Sequence, residues 1–248
     1  MSALYLDQDL ASAEADDLLE LRGAEARHAV TVSKVAVGDT LTVSNGRGLL
    51  IQGRVLSAER DRLSYQVEES TQIPASAYHI TLVQSLAKGG RDELAIQTAT
   101  ELGISAVIPW QSDRSIVRWI AEKQQKNEQR WQSIVQEATK QSINPWIPQV
   151  HALKTTAQLI SDFPAGIALV LEPTATTRLV QYLPDRLSVD SSVDITLFVG
   201  PEGGLSSREL DALQERGAVL VKMGDLVLRS STAGPTALAL INALTGRW

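Results

Sequence analysis

The chain has 248 residues, enough for a small domain joined to a medium one, each with its own core. With 44% hydrophobic and 21% charged residues and a mean hydropathy of −0.04, it has the composition of a globular protein, and the absence of cysteine excludes disulfides, thiolate zinc sites and a cysteine nucleophile. A formal net charge of −6 argues against indiscriminate nucleic-acid binding, so any such role has to rest on local charge.

The segment from Met1 to Asp7 lacks the basic region and apolar run of a secretory leader, and no apolar stretch reaches the roughly 18 residues of a membrane span. The expectation is a cytoplasmic protein with no membrane partner. Residues 1–21 carry six acids and no base, whereas residues 22–54 carry Arg22, Arg27, Lys34, Arg47 and Arg54 against Glu25 and Asp39. Residues 114–154 carry seven bases, among them Arg114, against three acids. Such stretches are either solvated faces or phosphate-binding surfaces.

From Thr40 to Glu69 short apolar runs alternate with turn residues: Leu41–Val43, Leu49–Ile51, Gly53–Leu56 and Leu63–Val67. The pattern predicts a small β-barrel, with Ser44 to Gly48 as a hairpin turn rather than a phosphate loop, because a third glycine and a following helix are missing. The polar, proline-containing stretch from Glu69 to Ser76 predicts a linker, dividing the chain into domains at 1–72 and 73–248.

Beyond it strands and helices alternate. Ile80–Leu86, Ala106–Pro109, Ile167–Glu172, Ile195–Val199 and Ala218–Lys222 read as buried strands. Between them fall helices over Asp92–Leu102, with Gly103 as its C-terminal cap, around Trp131, Ile134, Val135 and Ala138 at one-face spacing, over Ser206–Arg216 and over Thr232–Leu244. In the last, Ala237, Leu240, Ile241 and Leu244 are expected to face inward. The alternation predicts an α/β domain with a parallel sheet.

In such sheets ligands bind outside the carboxyl ends of the strands. Three strand exits stand out: Leu171-Glu172-Pro173; Val199 through Gly200, Pro201, Glu202, Gly203 and Gly204 to Ser206; and Met223-Gly224-Asp225-Leu226-Val227-Leu228-Arg229. Glycines at 200, 203 and 204 permit positive φ and close approach of backbone to a ligand, and Pro201 stiffens the turn. Ser206 and Glu209 have the spacing of a capping box. Neither a Walker loop nor a dinucleotide fingerprint is present, which removes kinase, ATPase and nicotinamide readings. His79 and His151 read as ordinary strand residues.

Val199–Leu205 with Met223–Thr232 resembles the signature of the SPOUT class of methyltransferases, and within it the RsmE type. The resemblance extends to His28-Ala29-Val30 through Lys34 to Asp39, to Lys88-Gly89-Gly90-Arg91, to Ala99–Gly103, to Ser112–Ser115 and to Arg130 through Ser142. After Ser142 this chain departs from the family pattern, with Ile143-Asn144-Pro145 where the family usually has Gly or Arg and then Arg. The resemblance implies a PUA-like β-barrel followed by a SPOUT-type parallel sheet with a C-terminal trefoil knot, a homodimer, S-adenosylmethionine as cofactor with no metal, and methylation of N3 of a uridine in 16S ribosomal RNA or the small subunit. A SPOUT enzyme for another RNA atom and a noncatalytic RNA-binding assembly factor are the alternatives.

The expected cofactor residues are Leu171, Glu172, Val199, Gly200, Pro201, Glu202, Gly203, Gly204, Met223, Gly224, Leu226, Leu228 and Thr232. The expected RNA contacts are Arg22, Arg27, His28, Lys34, Arg47, Lys88, Arg91 and Arg114. Arg229, a fixed positive charge just before a helix, is the candidate to stabilise a deprotonated uridine, and Glu202 the candidate to accept a proton or orient a group.

Overall fold

The computed structural model describes residues 4–187 and 192–248; residues 1–3 of the N-terminal segment judged leaderless from the sequence lie outside them. The chain forms two compact units, one of residues 1–75 with 139–147, the other of residues 76–138 with 148–248.

In the first unit, strands β1 (Leu4–Leu6), β2 (Leu18–Arg22), β3 (Thr40–Ser44), β4 (Leu49–Glu59) and β5 (Arg62–Gln72) form one sheet in the order β1-β3-β4-β5-β2. Among the described residues of this sheet only the β1–β3 pairing is parallel. Alternation in β4 sends Leu49, Ile51, Gly53 and Val55 to the buried face. The two short strands expected at 49–51 and 53–56 are therefore one, continuous across a register shift at Gln52/Gly53. A Cβ on Gly53 would lie 2.5 Å from the Tyr65 ring, so the missing side chain is what lets the backbone pass over that aromatic. The turn at 44–48 is a hairpin as expected, with Gly46 and Gly48 at positive φ. The linker is shorter than the composition indicated, because β5 continues to Gln72.

Helix α1 (Gly23–Arg27) runs into a wide helical turn at His28–Val32, bringing Ala26 and Ala29 onto the core of Leu21, Val43, Ile51, Leu63 and Tyr65. The divergent segment after Ser142 has a structural task in this unit. The Pro145 carbonyl accepts from Gly48 N (2.9 Å) and Ser44 Oγ (3.2 Å), the Trp146 indole donates to Ile73 O (3.1 Å), and Lys140 pairs with Glu25 at 3.0 Å.

The second unit is a parallel sheet of β6 (Tyr78–Ser85), β7 (Ala106–Gln111), β8 (Gln149–Val150), β9 (Lys154–Thr155), β10 (Ile167–Leu171), β11 (Val193–Val199) and β12 (Val219–Val221). Their order is β12-β10-β11-β6-β7-β8, with β9 also on β7. Crossovers are made by α2 (Arg91–Glu101), α3 (Ala121–Gln141), α4 (Thr156–Ser161), the short α5 (Leu179–Tyr182) and α6 (Ser207–Glu215), and the chain ends on α7 (Ser230–Leu244). The expected elements are all present with ends shifted by a few residues.

Gly103 ends α2 at φ +83, with Gly103 N bonded to Thr100 O and Ile104 N to Ala99 O, a C-terminal cap of the expected kind. On α3, Trp131, Val135 and Ala138 are buried, and Trp131 meets Trp119 edge-on at 5.3 Å. On α7 the inward face is Ala233, Gly234, Ala237, Leu238 and Ile241; Leu240 is half-buried and Leu244 exposed, contrary to expectation. The reason is Gly234, whose lack of a side chain brings the helix against Leu82 and Val199 and turns it away from Leu244. His79 lies in β6 as expected, whereas His151 falls just beyond β8.

Candidate cofactor site

Strands β10, β11 and β12 end side by side, in register at Leu171↔Val199 and Leu171↔Val221. Apolar runs carry each strand to that line, and glycine, proline or charge then stops it. The exits enclose a cavity of about 520 Å³, within the range of small-molecule sites.

Of the expected cofactor residues, Leu171, Glu172, Val199, Gly200, Pro201, Glu202, Gly204, Met223, Gly224, Leu226 and Leu228 line the cavity, and Arg229 lies with them. Gly203 and Thr232 are not on its wall: Gly203 faces Arg114, and the Thr232 hydroxyl donates to Arg229 O at 3.1 Å. Arg91, expected as an RNA contact, and Val227, within the expected third exit, also line it, and the sequence reading missed Pro173, Leu205, Val221, Lys222, Ser230 and Ala233 as cofactor residues. Ser230 and Ala233 follow from helical spacing once α7 is known to begin at Ser230, whereas Arg91, singled out for RNA, reaches the cavity from a distant strand exit.

Of the three loop glycines only Gly204 has positive φ, at +67, where its N–H closes a turn onto Pro201 O (2.9 Å). Gly200 is required for space: a Cβ there would stand 3.0 Å from Leu205 Cγ. Glu172 accepts from both N and Oγ1 of Thr174 at 3.1 and 2.8 Å, making a local turn at the cavity edge. The third exit is stitched to the first by Glu172 N to Val221 O, Leu179 N to Lys222 O and Lys222 N to Thr177 O, and by an ion pair of Arg178 with Asp225.

The Glu202 carboxylate accepts from Lys88 N at 3.0 Å and from Arg91 Nη1 at 2.8 Å. Burial pushes its carboxyl up, but the N–H of its own backbone and of Lys88, together with the Arg91 guanidinium, outweigh that and hold it below the ordinary carboxylate range. A carboxylate so held orients and clamps; it is a weak proton acceptor. Arg229 is different. It is exposed, caps α7 through its carbonyl, and no ion pair engages its guanidinium among the described residues.

The expected RNA-contacting residues fall into two groups. Arg22 pairs with Glu20, Arg47 donates to Gln8 O and Leu10 O, Arg91 pairs with Glu202, and Arg114 donates to Gly203 O and Leu205 O. Arg27, Lys34 and Lys88 are exposed without an ion pair among the described residues, and His28 lies edge-on to Tyr5. Among those residues no three His, Asp or Glu side chains converge as metal ligands, and no helix is long and apolar enough to cross a membrane.

The site and fold define a class: a parallel α/β domain with a small-molecule cavity at its strand ends, on a chain that also carries a small β-sheet domain. Known proteins narrow it. The RNA methyltransferase domain family matches residues 74–242, and the RNA methyltransferase PUA domain family matches residues 21–68. The chain belongs to the RNA methyltransferase family, and its first unit is a PUA-like domain. A Mycobacterium bovis protein named ribosomal RNA small subunit methyltransferase E is 37% identical over 231 residues, covering 91% of this chain and 86% of that one. The Bacillus subtilis protein of the same name is 28% identical, covering 99% and 97%. A crystal structure of ribosomal RNA small subunit methyltransferase E from Neisseria gonorrhoeae, bound to S-adenosyl methionine, superposes with a TM-score of 0.86 at 26% identity over 98% of both chains.

Proposed function

We infer that this chain is an S-adenosylmethionine-dependent methyltransferase of small-subunit ribosomal RNA that acts, in the cytoplasm, on N3 of a uridine in the 16S molecule. The observation that carries the reading is the cavity at the ends of β10, β11 and β12, with Arg229 on its wall and without an ion pair among the described residues. The relatives' names supply the class of substrate. The uridine atom rests on the resemblance of the strand exits to the RsmE type.

The residues suit that cofactor. Leu171, Val199, Leu205, Val221, Met223 and Leu228 offer apolar walls for the adenine ring and the methylene groups of the methionine chain, while backbone groups of the loop at 200–204 would supply hydrogen bonds. The N-terminus of α7, with Ser230 on the wall, favours the cofactor's carboxylate. Bound there, S-adenosylmethionine supplies an electrophilic methyl group for in-line transfer.

The chain's own residues then have two tasks. The clamped loop holds the methyl donor in a fixed place, which converts an encounter into an oriented reaction. Arg229 stabilises the negative charge that spreads onto the uracil carbonyl oxygens when N3 loses its proton, at a helix N-terminus that adds to the same field. Glu202 positions Arg91 and the segment at 88–91 at the cavity rim. Arg27, His28, Lys34 and Lys88 hold RNA phosphates, fixing register without reading sequence.

Two finer readings belong with this function. Leu226 and Val227 are 85% and 76% exposed beside the cavity, which supports a homodimer closing over the site. The stitching of residues 172–179 onto 221–222 just before α7 supports a trefoil knot in the last third of the chain. Mass spectrometry of ribosomal RNA from a deletion strain tests the function: one N3-methyluridine in 16S RNA is expected to disappear and to return on complementation. An unchanged nucleoside profile would overturn the reading.

A further inference from the structure

Glu209 stands on α6, away from the cavity wall, and is only 1% exposed. Its carboxylate has no ion-pair partner among the described residues. It is held instead by hydrogen bonds on both oxygens: Oε1 accepts from Asp113 N and Thr156 Oγ1, both at 2.8 Å, and Oε2 accepts from Ser206 N at 2.9 Å and shares the single Ser206 hydroxyl proton (2.9 Å) with Asp113 Oδ2. Three of these donors belong to Glu209 alone and the fourth is shared, so both oxygens are satisfied without a counter-ion. Only half of this is a helix cap. The Oε2 bonds close the capping box of α6, whereas the Oε1 bonds reach two other segments, the exit of β7 and the start of α4.

The same β7 exit grips the glycine-rich loop from outside the cavity. Arg114 Nη1 donates to Gly203 O (3.2 Å) and Leu205 O (3.1 Å), and Asp113 Oδ2 shares the Ser206 hydroxyl proton with Glu209 (3.0 Å) while pairing with Arg208. Three glycines leave that loop costly to order, and its own internal anchor among the described residues is the Gly204 N to Pro201 O turn. Its placement is therefore set from outside: at Glu202 by residues 88–91, and at 203–206 by residues 113–114, which Glu209 fixes in turn.

We propose that Glu209 is a positioning residue for the methyl donor, a buried carboxylate that sets the glycine-rich loop at cofactor-binding geometry by tying the start of α6 to the exit of β7. The proposal rests on the reading of the cavity as the cofactor site. A carboxylate is required, because an amide of the same shape turns an NH2 group onto one of the two donor pairs.

The test is calorimetric affinity for S-adenosylmethionine together with steady-state transfer to small-subunit RNA. Glu209→Gln is expected to weaken cofactor affinity by about tenfold or more while leaving KM for RNA unchanged, since a misplaced loop costs orientation and not RNA contacts. Thr156→Val cuts one Oε1 bond, together with the Trp110 indole bond to the same hydroxyl (3.0 Å), and spares the α6 cap; a smaller loss in the same sense is expected, with Thr156→Ser, which keeps both bonds, restoring affinity. Arg114→Ala combined with Glu209→Gln should be non-additive, because both act on one loop. If both Glu209→Gln and Thr156→Val lower Tm but bind cofactor normally well below it, Glu209 serves stability alone and the proposal fails. Gly224→Trp distinguishes failure of the underlying reading: it fills the cavity from a glycine with open space around it, and normal binding there would overturn the cavity assignment and the proposal together.

Discussion

At the scale of single residues, Arg229 and Glu202 looked alike in the sequence, each a charge at a strand exit, and the structure separates them by their partners. Arg229 lies on the cavity wall without an ion-pair partner among the described residues, so its field is available to a reacting group. Arg229→Ala is expected to retain cofactor affinity while single-turnover methyl transfer falls by roughly 100-fold, the size associated with loss of one preorganised donor. Raising the pH should recover part of the rate, because more of the uridine is then deprotonated without help. Glu202 is committed to Lys88 N and Arg91, and its depressed carboxyl gives a second prediction. Its stabilisation of the loop is fully present above the ordinary value of 4.5 and is lost as the pH falls through the lower folded value. Cofactor affinity should therefore stay level from neutral pH down to about pH 5 and decline only below that. A pH profile with a limb near neutrality that vanishes in Glu202→Gln would show instead that Glu202 exchanges a proton during turnover.

At the scale of elements, the periodic parts of the chain were legible because burial on one face writes itself into the spacing of apolar residues. The strands at 80, 106, 167, 195 and 218 and the Trp131 stripe on α3 follow from that rule alone. The exits of β10, β11 and β12 were legible for the same reason, since a strand buried on both sides must stop at glycine, proline or charge. What failed was whatever a long-range contact decides. Leu244 carries the helical spacing of α7 but not its burial, because Gly234 fixes the rotation of that helix through contact with β6. Gly203 belongs to a glycine-rich loop yet faces Arg114, and nothing in the local sequence says which glycine lines the cavity. The short strands β1 and β2 lie in an acid-rich stretch without clear alternation and are paired by distant partners, β3 and β5. The close fit of α7 yields a prediction: a Cβ at Gly234 would lie 2.9 Å from Leu82 Cδ1 and 3.5 Å from Val199 Cγ2, both on fully packed side chains. Gly234→Val should lower stability by about 1–3 kcal/mol through overpacking and weaken cofactor binding by shifting the wall residues Ser230 and Ala233. Denaturation midpoints with and without cofactor check this, and an unchanged midpoint would show that Leu82 yields at no cost.

At the scale of the whole molecule, a net charge of −6 sets a chain that must hold RNA against its own long-range repulsion, so productive contact depends on a small number of available cations. Counting bases along residues 22–54 overstates that number. Arg22 and Arg47 already serve Glu20 and the carbonyls of Gln8 and Leu10, and Arg54 pairs with Glu68. Arg27 and Lys34 remain exposed, and Lys34 sits at a φ of +56 that holds it at a turn after the His28–Val32 helical turn. Each phosphate neutralised on a single strand contributes roughly 0.7 to the slope of log affinity against log salt. The pair Arg27→Glu and Lys34→Glu is therefore expected to weaken RNA binding and flatten that slope by about 1.4, because two phosphates are no longer neutralised. Arg22→Gln and Arg47→Gln together should leave the slope nearly unchanged and, for Arg47, act instead through stability, since its guanidinium holds the N-terminal segment. Fluorescence anisotropy with a small-subunit RNA fragment across a salt series distinguishes the two pairs. Equal flattening by both would mean that the intrachain bonds of Arg22 and Arg47 open on binding, and no flattening by either would move the phosphate-binding role to the second unit, where Lys88 stands exposed beside the cavity residue Arg91.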